Sequence, residues 1–330
     1  MAAGGPKDPA PVAVCSRSFS NHPALRALVQ ERYANVRFNE TGATLSGEAL
    51  VRFLDDAEKA IVGMERIDAA ILEQVPRLRV VAKYGVGLDA LDLGALAARG
   101  VRLGWRPGVN AGAVAELTVC FAIALLRGLP AASGALRAGA WRPRIGREMA
   151  ETTFGIVGCG HIGRQVVRLL RPFGGRVLAH DIVDQSEFYR EHGVEAVSLE
   201  ALLAASDVVS LHVPLDDSTR GLMSAERIDR MRAGACLVNT ARGGLVDEQH
   251  LARRLGEGRL GGAAFDVFAE EPPASPAYAA LLGLPSFIGT PHVAGTSERA
   301  VLAMGRAAID GLDDHDPPLD RDRSAAAGPR

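Results

Sequence analysis

Three runs of apolar, strand-like sequence in the second half of the chain end in polar groups whose chemistry is complementary. The run 235–239 leads into Thr240-Ala-Arg242-Gly-Gly, the run 263–267 into Phe268-Ala-Glu270-Glu271-Pro272, and the run 286–290 into Pro291-His292-Val-Ala-Gly295. The planar guanidinium of Arg242 suits bidentate capture of a carboxylate and polarisation of an adjacent carbonyl, a task a lysine ammonium does poorly. A histidine opposite a carboxylate, Glu270 or Glu271, is the arrangement of a general acid/base, because the acid fixes the imidazole tautomer and stabilises the imidazolium. A cation for a carboxylate and a proton donor for a carbonyl oxygen would serve hydride transfer to a 2-oxo acid, provided a nicotinamide ring is held opposite.

A place for that ring is written upstream. Thr153-Phe-Gly-Ile-Val-Gly158-Cys-Gly160-His-Ile-Gly163 reads as an apolar strand, a Gly-x-Gly-x-x-Gly turn and the start of an amphipathic helix. Gly158 permits the tight turn, Gly160 lets the backbone approach a pyrophosphate, and Gly163 lets the helix pack on the strand with its N-terminus toward phosphate. A second strand, Arg176-Val-Leu-Ala-His180-Asp181, ends in a carboxylate about twenty residues on, the position that meets a ribose 2′-hydroxyl. With no arginine in Ile182-Val-Asp184, Asp181 should repel a 2′-phosphate, so NAD is expected over NADP. His161 is expected to face solvent at this turn. His180 reads equally as a strand residue or an adenosine contact, and His212 as a core histidine or a cofactor-lining one.

The elements that must position these groups follow a repeating strand–helix pattern. The chain has 330 residues, 48% of them hydrophobic, and a formal net charge of −2, enough for about two domains with substantial cores. The first hundred residues alternate strands near 12–15, 35–38, 60–63, 78–82 and 101–103 with helices near 23–33 and 69–75. Strand 78–82 opens into Lys83-Tyr-Gly85-Val-Gly87-Leu-Asp89, a Gly-rich loop at a strand end, where ligands bind in open α/β sheets. The segment 110–127 is a long helix apolar on nearly every side, which implies burial between elements or subunits. From 153 to 290 the alternation implies a doubly wound parallel sheet of about six or seven strands. The segment from Asp313, biased to Asp, Pro, Arg and Ala, reads as disordered. The four cysteines (Cys15, Cys120, Cys159, Cys236) lie far apart without Cys-x-x-Cys spacing, so neither a disulfide framework nor a metal site is expected. Balanced, interspersed charge argues against nucleic acid or a membrane as partner. With no signal-peptide pattern, a cytoplasmic location is expected.

Together these motifs resemble the D-isomer-specific 2-hydroxyacid dehydrogenase family, in its phosphoglycerate dehydrogenase-like branch. The resemblance covers roughly 80–296, through Gly85-Val-Gly-Leu-Asp89, Pro107-Gly-Val-Asn-Ala111 with Val114-Ala-Glu116, the Gly158 to Gly163 fingerprint, His212-Val-Pro214, Asn239-Thr-Ala-Arg242-Gly-Gly, Asp266 with Glu271-Pro272, and Thr290-Pro-His292. It implies two Rossmann-like domains: a discontinuous substrate domain, 1–106 with 292–330, and an NAD-binding domain, 107–291. It implies that Arg242 binds substrate, that His292 is the acid/base and that Glu271, which directly precedes the proline, is its partner. Asp266 would meet the nicotinamide amide and Asp181 the adenosine ribose. Gly158, Cys159, Gly160, His161, Ile162, Gly163, His212, Val213, Pro214 and Thr240 would line the cofactor. Lys83, Gly85, Val86 and Gly87 would line the substrate side with Arg242 and His292. A homodimer through the 110–127 region is expected. The implied activity is interconversion of a D-2-hydroxy acid and its 2-oxo acid with NAD. The substrate would be a phosphorylated acid such as 3-phosphoglycerate, or a phosphonate such as hydroxymethylphosphonate, phosphonopyruvate or phosphonolactate. The alternative is an NAD(H)-sensing, co-repressor-like binding protein. The sequence departs from many relatives at Thr118, where they carry a larger polar or aromatic residue. Cys159 fills the variable second position of the fingerprint.

Overall fold

The computed structural model describes residues 6–317. Five short strands and five helices come first: β1 (Val12–Val14), α1 (Arg17–Ser20), α2 (Pro23–Arg32), β2 (Val36–Phe38), α3 (Gly47–Leu54), β3 (Lys59–Val62), α4 (Ala69–Gln74), β4 (Val80–Lys83), α5 (Leu93–Ala98) and β5 (Arg102–Gly104). Next are α6 (Ala111–Leu126), α7 (Leu129–Arg137), β6 (Thr153–Val157), α8 (His161–Leu170), β7 (Arg176–His180), α9 (Ser186–His192), β8 (Glu195–Ala196), α10 (Leu199–Ala205) and β9 (Val208–Leu211). The chain then runs through α11 (Ala225–Arg230), β10 (Cys236–Asn239), α12 (Glu248–Gly256), β11 (Gly262–Phe265), α13 (Pro276–Leu282), β12 (Phe287–Gly289) and α14 (Glu298–Asp310).

The strands form two parallel sheets, a five-stranded one in the order β2-β1-β3-β4-β5 and a seven-stranded one in the order β12-β11-β10-β9-β6-β7-β8. This is the doubly wound α/β architecture expected. Parallel strands are covered on both faces, which is why they read as continuous apolar runs. Alternate residues of one strand accordingly serve two separate cores. Ile156 and Val238 pack on one side of the larger sheet with Phe154 and Val167, while Val157 and Leu237 pack on the other with Leu202 and Leu251. The smaller sheet divides in the same way, Val62 and Val81 to one side and Ile61 and Ala82 to the other. Helix starts are fixed by side chains that accept the first free N–H groups: Asp68, Asp92, Ser198, Ser224 and Asp247.

The chain falls into two compact units, one running up to Asn110 and resuming at Glu298, the other Ala111–Ser297. The expected boundaries, 106/107 and 291/292, therefore shift to 110/111 and 297/298. His292 stays with the second unit because its N–H donates to Asp266 O (2.9 Å) and the next two N–H groups bond the Asp266 carboxylate. Within the first unit, α14 packs on α2 and β4, and the backbones of Gly104 and Gly311 approach so closely that a Cβ at Gly104 would collide with the Gly311 carbonyl. The expectation of disorder from Asp313 is corrected for its first residues. Asp313 accepts from Tyr33 Oη (2.6 Å) and Lys59 Nζ (2.7 Å), and Asp316 bridges to Leu103. The rest of that segment lies outside the described residues.

The long apolar helix is α6. It is used largely within its own unit, where Ala115, Val119, Phe121, Ala122 and Leu125 join the core shared with α8 and β10. Among the large apolar residues left exposed, four follow it closely: Leu129 and Leu136 of α7, and Trp141 and Ile145 beyond. Among the described residues, no single helix is long and apolar enough to cross a membrane.

Candidate active site

The register of the larger sheet aligns the candidate residues. His180 of β7 pairs with Val157 of β6, Val157 with Leu211 of β9, Leu211 with Asn239 of β10, Asn239 with Phe265 of β11, and Phe265 with Gly289 of β12. The next residue of each strand therefore falls on one row along the carboxyl edge: Asp181, Gly158, His212, Thr240, Asp266 and Thr290. The connection between β8 and β9 carries the chain from one side of β6 to the other, so the row crosses a topological switch point, where open α/β sheets bind ligands.

At that point the fingerprint adopts the geometry its glycines require. Gly158 has φ 89°, and a Cβ there would sit 2.8 Å from both His212 O and Val213 Cγ1. A Cβ at Gly163 would collide with Gly158 O, whereas Gly160 faces open space at the N-terminus of α8. A helix N-terminus with free N–H groups and room in front of it fits a pyrophosphate. Asp181 anchors the turn: its Oδ2 accepts the Cys159 N–H (2.5 Å) and its Oδ1 the Val183 N–H (2.9 Å). The carboxylate is thus held in one orientation by two backbone N–H groups. His161 is exposed, as expected, and burial followed by the nearby Arg164 charge lowers its pKa. His180 Nδ1 contacts Val197 O (3.2 Å), the strand-residue arrangement. His212 Nε2 contacts Ser210 Oγ (2.9 Å), its Nδ1 is enclosed, and burial pushes its pKa down to about 3. It is a neutral ring at the strand end and no proton shuttle near pH 7.

The structure brings the acid/base candidates into contact. His292 Nδ1 lies 2.9 Å from Glu271 Oε2, while Glu271 Oε1 accepts the Phe268 N–H (3.1 Å). Glu271, not Glu270, is the partner. His292 has φ 55°, a left-handed conformation that costs a non-glycine residue about 1 kcal/mol or more and persists only where neighbours over-determine it. Those neighbours belong to Asp266, which is 1% exposed. Its carboxylate accepts Thr290 Oγ1 (2.5 Å), Val293 N–H (2.8 Å) and Ala294 N–H (2.8 Å), and its backbone oxygen accepts the His292 N–H. Asp266 thus braces the turn that carries His292. On the neighbouring strand end, Asn239 Nδ2 donates to Arg242 O (2.8 Å) and Asn239 Oδ1 accepts the Ala241 N–H, closing the loop that presents Arg242.

Two supports escape sequence reading. A Cβ at Gly243 would collide with Phe268 O, so only glycine lets the Arg242 loop abut the Glu271 loop. Glu248, at the start of α12, accepts the Ala269 N–H (3.1 Å) and Tyr278 Oη (2.8 Å), and Tyr278 Oη also accepts the Glu270 N–H (3.1 Å). Burial raises the Glu248 pKa. The Gly243-Gly244 pair was visible as a turn signal, but its contact with residue 268 spans loops on two strands that no local pattern relates. Glu248 sits in a helical stretch and Tyr278 carries no sequence signal that ties it to the loop at 268–271.

The remaining candidates lie in the first unit. Lys83 ends β4, is 7% exposed, and its Nζ donates to Gly63 O. Gly85 has φ 123°, and Trp105 Nε1 donates to Val86 O (2.9 Å) beside Gly87.

Comparison with known proteins agrees with this geometry. Residues 119–294 match the model of the D-isomer specific 2-hydroxyacid dehydrogenase, NAD binding domain. The chain is 36% identical over 270 residues to the D-3-phosphoglycerate dehydrogenase of Methanocaldococcus jannaschii, covering 81% of this chain and 51% of that protein. It therefore spans about half the length of that relative. It is 38% identical over 273 residues to the glyoxylate reductase of Korarchaeum cryptofilum, covering 80% of this chain and 78% of that one. Among solved structures it is similar to the D-lactate dehydrogenase of Aquifex aeolicus complexed with NAD and lactic acid, with a TM-score of 0.80, 26% identity, and 91% and 93% of the two chains covered. The chain belongs to the D-isomer-specific 2-hydroxyacid dehydrogenase family of NAD-dependent oxidoreductases, and its second unit holds that family's NAD-binding domain.

Proposed function

We propose that this protein interconverts a D-2-hydroxy acid and its 2-oxo acid, with NAD as hydride carrier. The observation that carries the reading is the 2.9 Å contact of His292 Nδ1 with Glu271 Oε2 on strand ends adjoining the fingerprint row. With Nδ1 directed at the carboxylate, Nε2 is the ring nitrogen that exchanges a proton with substrate. In reduction, Arg242 holds the substrate carboxylate and polarises the carbonyl, and His292 donates its proton to the carbonyl oxygen as that atom gains negative charge. Glu271 stabilises the imidazolium before transfer. In oxidation the same proton returns to His292. A dinucleotide held at the fingerprint would supply the hydride for the carbonyl carbon. Gly158, Cys159, Gly160, His161, Ile162 and Gly163 receive the pyrophosphate, Asp181 the adenosine ribose, and His212, Val213, Pro214, Thr240 and Asp266 line the nicotinamide side. The carboxylate of Asp181, fixed by two N–H donors, supports discrimination against a 2′-phosphate.

For the substrate we favour an acid with a second anion, phosphate or phosphonate, with Lys83, Gly85, Val86 and Gly87 as the candidate residues for that anion. The support is a cation at a strand end next to a Gly-rich loop with φ 123° at Gly85. The exposed Leu136 (60%), Trp141 (83%) and Ile145 (103%) support a homodimer whose contact extends from α6 onto α7 and the segment after it. A monomeric mass by light scattering at micromolar concentration would remove that part of the reading. The activity is tested by NADH oxidation, followed by absorbance, against a panel of 2-oxo acids with and without phosphate. Turnover of none of them, with NADH bound, would overturn it.

A further inference from the structure

Thr118 of α6 is fully buried, and its hydroxyl has a single proton. That proton goes to Val114 O, one helical turn back at 2.8 Å, because a carbonyl oxygen can only accept. Thr118 Oγ1 is also 2.9 Å from Thr240 Oγ1. With the Thr118 proton committed, this contact has one direction: Thr240 donates and Thr118 accepts. Thr240, 6% exposed, therefore keeps only lone pairs to offer anything else. A lone threonine at a strand end can donate or accept, but this one is wired as an acceptor by a helix 122 positions away in sequence.

Thr240 stands on the strand-end row two strands from Gly158, on the side opposite Asp181. A dinucleotide with its adenosine ribose at Asp181 and its pyrophosphate at the α8 N-terminus brings its nicotinamide half past β9 to β10. We propose that Thr118 is a positioning residue that fixes Thr240 as the acceptor for a hydrogen-bond donor, ribose hydroxyl or carboxamide N–H, on the nicotinamide half of the bound dinucleotide. This rests on the reading of the fingerprint row as the dinucleotide site. It also gives the departure at Thr118 a purpose, since a larger side chain there would displace the hydroxyl that sets the direction.

The test measures binding of NADH, and of ADP as a probe of the adenosine half alone, by calorimetry on the full chain. Thr118→Val should weaken NADH about tenfold, the equivalent of about 1.4 kcal/mol, and leave ADP within about twofold. Thr118→Ser keeps both hydrogen bonds and should bind both as the unsubstituted protein does. In a Thr240→Val background, Thr118→Val should cause no further loss, as expected of residues acting through one bond. Equal weakening of NADH and ADP, unchanged NADH affinity in Thr118→Val, or a full loss persisting in the Thr240→Val background would each overturn the proposal. If Thr118→Val does not fold, Thr118→Ala carries the same expectations. An unsubstituted protein that binds neither NADH nor ADP would instead overturn the dinucleotide site itself.

Discussion

The carboxyl edges of the two sheets are built differently. In the larger sheet, the row after the strands is Asp181, Gly158, His212, Thr240, Asp266 and Thr290, and its polar side chains contact the Cys159 and Ala294 N–H groups and the hydroxyls of Ser210 and Thr118. In the smaller sheet the corresponding row, set by Val14 paired with Phe38 and Ile61, Ile61 with Ala82 and Ala82 with Gly104, is Asn39, Cys15, Val62, Lys83 and Trp105. Asn39 there is fully buried, and its amide donates to Cys15 O (2.8 Å) and Ala43 O (2.9 Å). One edge carries polar groups fixed by hydrogen bonds from other elements. The other mostly closes its own loops and leaves Lys83 as its single charged group. The same sheet architecture thus yields a chemical edge where strand ends finish in Asp, Thr, His or Gly, and a structural edge where they finish in buried amide, thiol and apolar groups.

The sharpest test of the chemical edge is His292→Gln. The turnover number should fall about a hundredfold or more, the usual range for a lost general acid/base, with NADH affinity nearly unchanged. Equal loss of both would make the His292 turn structural. A slightly smaller effect is expected from His212 on stability. Its folded pKa, about 3, lies below the unfolded value of about 6.5, so between those limits the unfolded chain binds the extra proton and stability falls as pH falls. Between pH 7 and pH 5 this group should cost about 2 kcal/mol. Denaturant midpoints of His212→Asn that decline just as steeply over this range would refute the assignment.

Asp181→Ala should narrow the preference for NAD over NADP, by about tenfold in kcat/KM ratio. A parent enzyme equally efficient with both cofactors would break the reading of that strand end. An effect of the same size, confined to one class of substrate, is expected at the structural edge. Lys83→Met should lower kcat/KM about tenfold for a phosphorylated substrate and leave an uncharged one of similar length unaffected. Equal loss with both would place Lys83 among the groups that only close the loop beside Gly63.

Much of this was legible because it is local. Fully apolar runs such as Val12–Val14 announce doubly covered strands, and the fingerprint states its own turn. The 110–127 helix was read correctly in extent, yet its apolar faces go mainly to α8, β10 and their neighbours. The short helices α1, α3, α5, α7 and α13, and the longer α14, were not read. Several are under three turns, and α7 buries none of its residues, so its sequence carries no core-facing stripe. The ordered start of the C-terminal segment was missed because a polar composition says nothing of Lys59 and Tyr33, more than 250 positions away, that bind Asp313.

The sequence by itself determined which residues have the chemistry: an arginine, a histidine and an acid before a proline, each after a strand, plus glycines spaced for a phosphate turn. Those are properties of side chains and of short-range backbone freedom. Only the tertiary structure decided that the strand ends share one row, and that Asp266 braces the His292 turn. Only there does the Thr118 hydroxyl meet that of Thr240. Each depends on register between strands or on a helix packed across them, and register is set by the fit of whole faces in the core, not by any one strand's sequence.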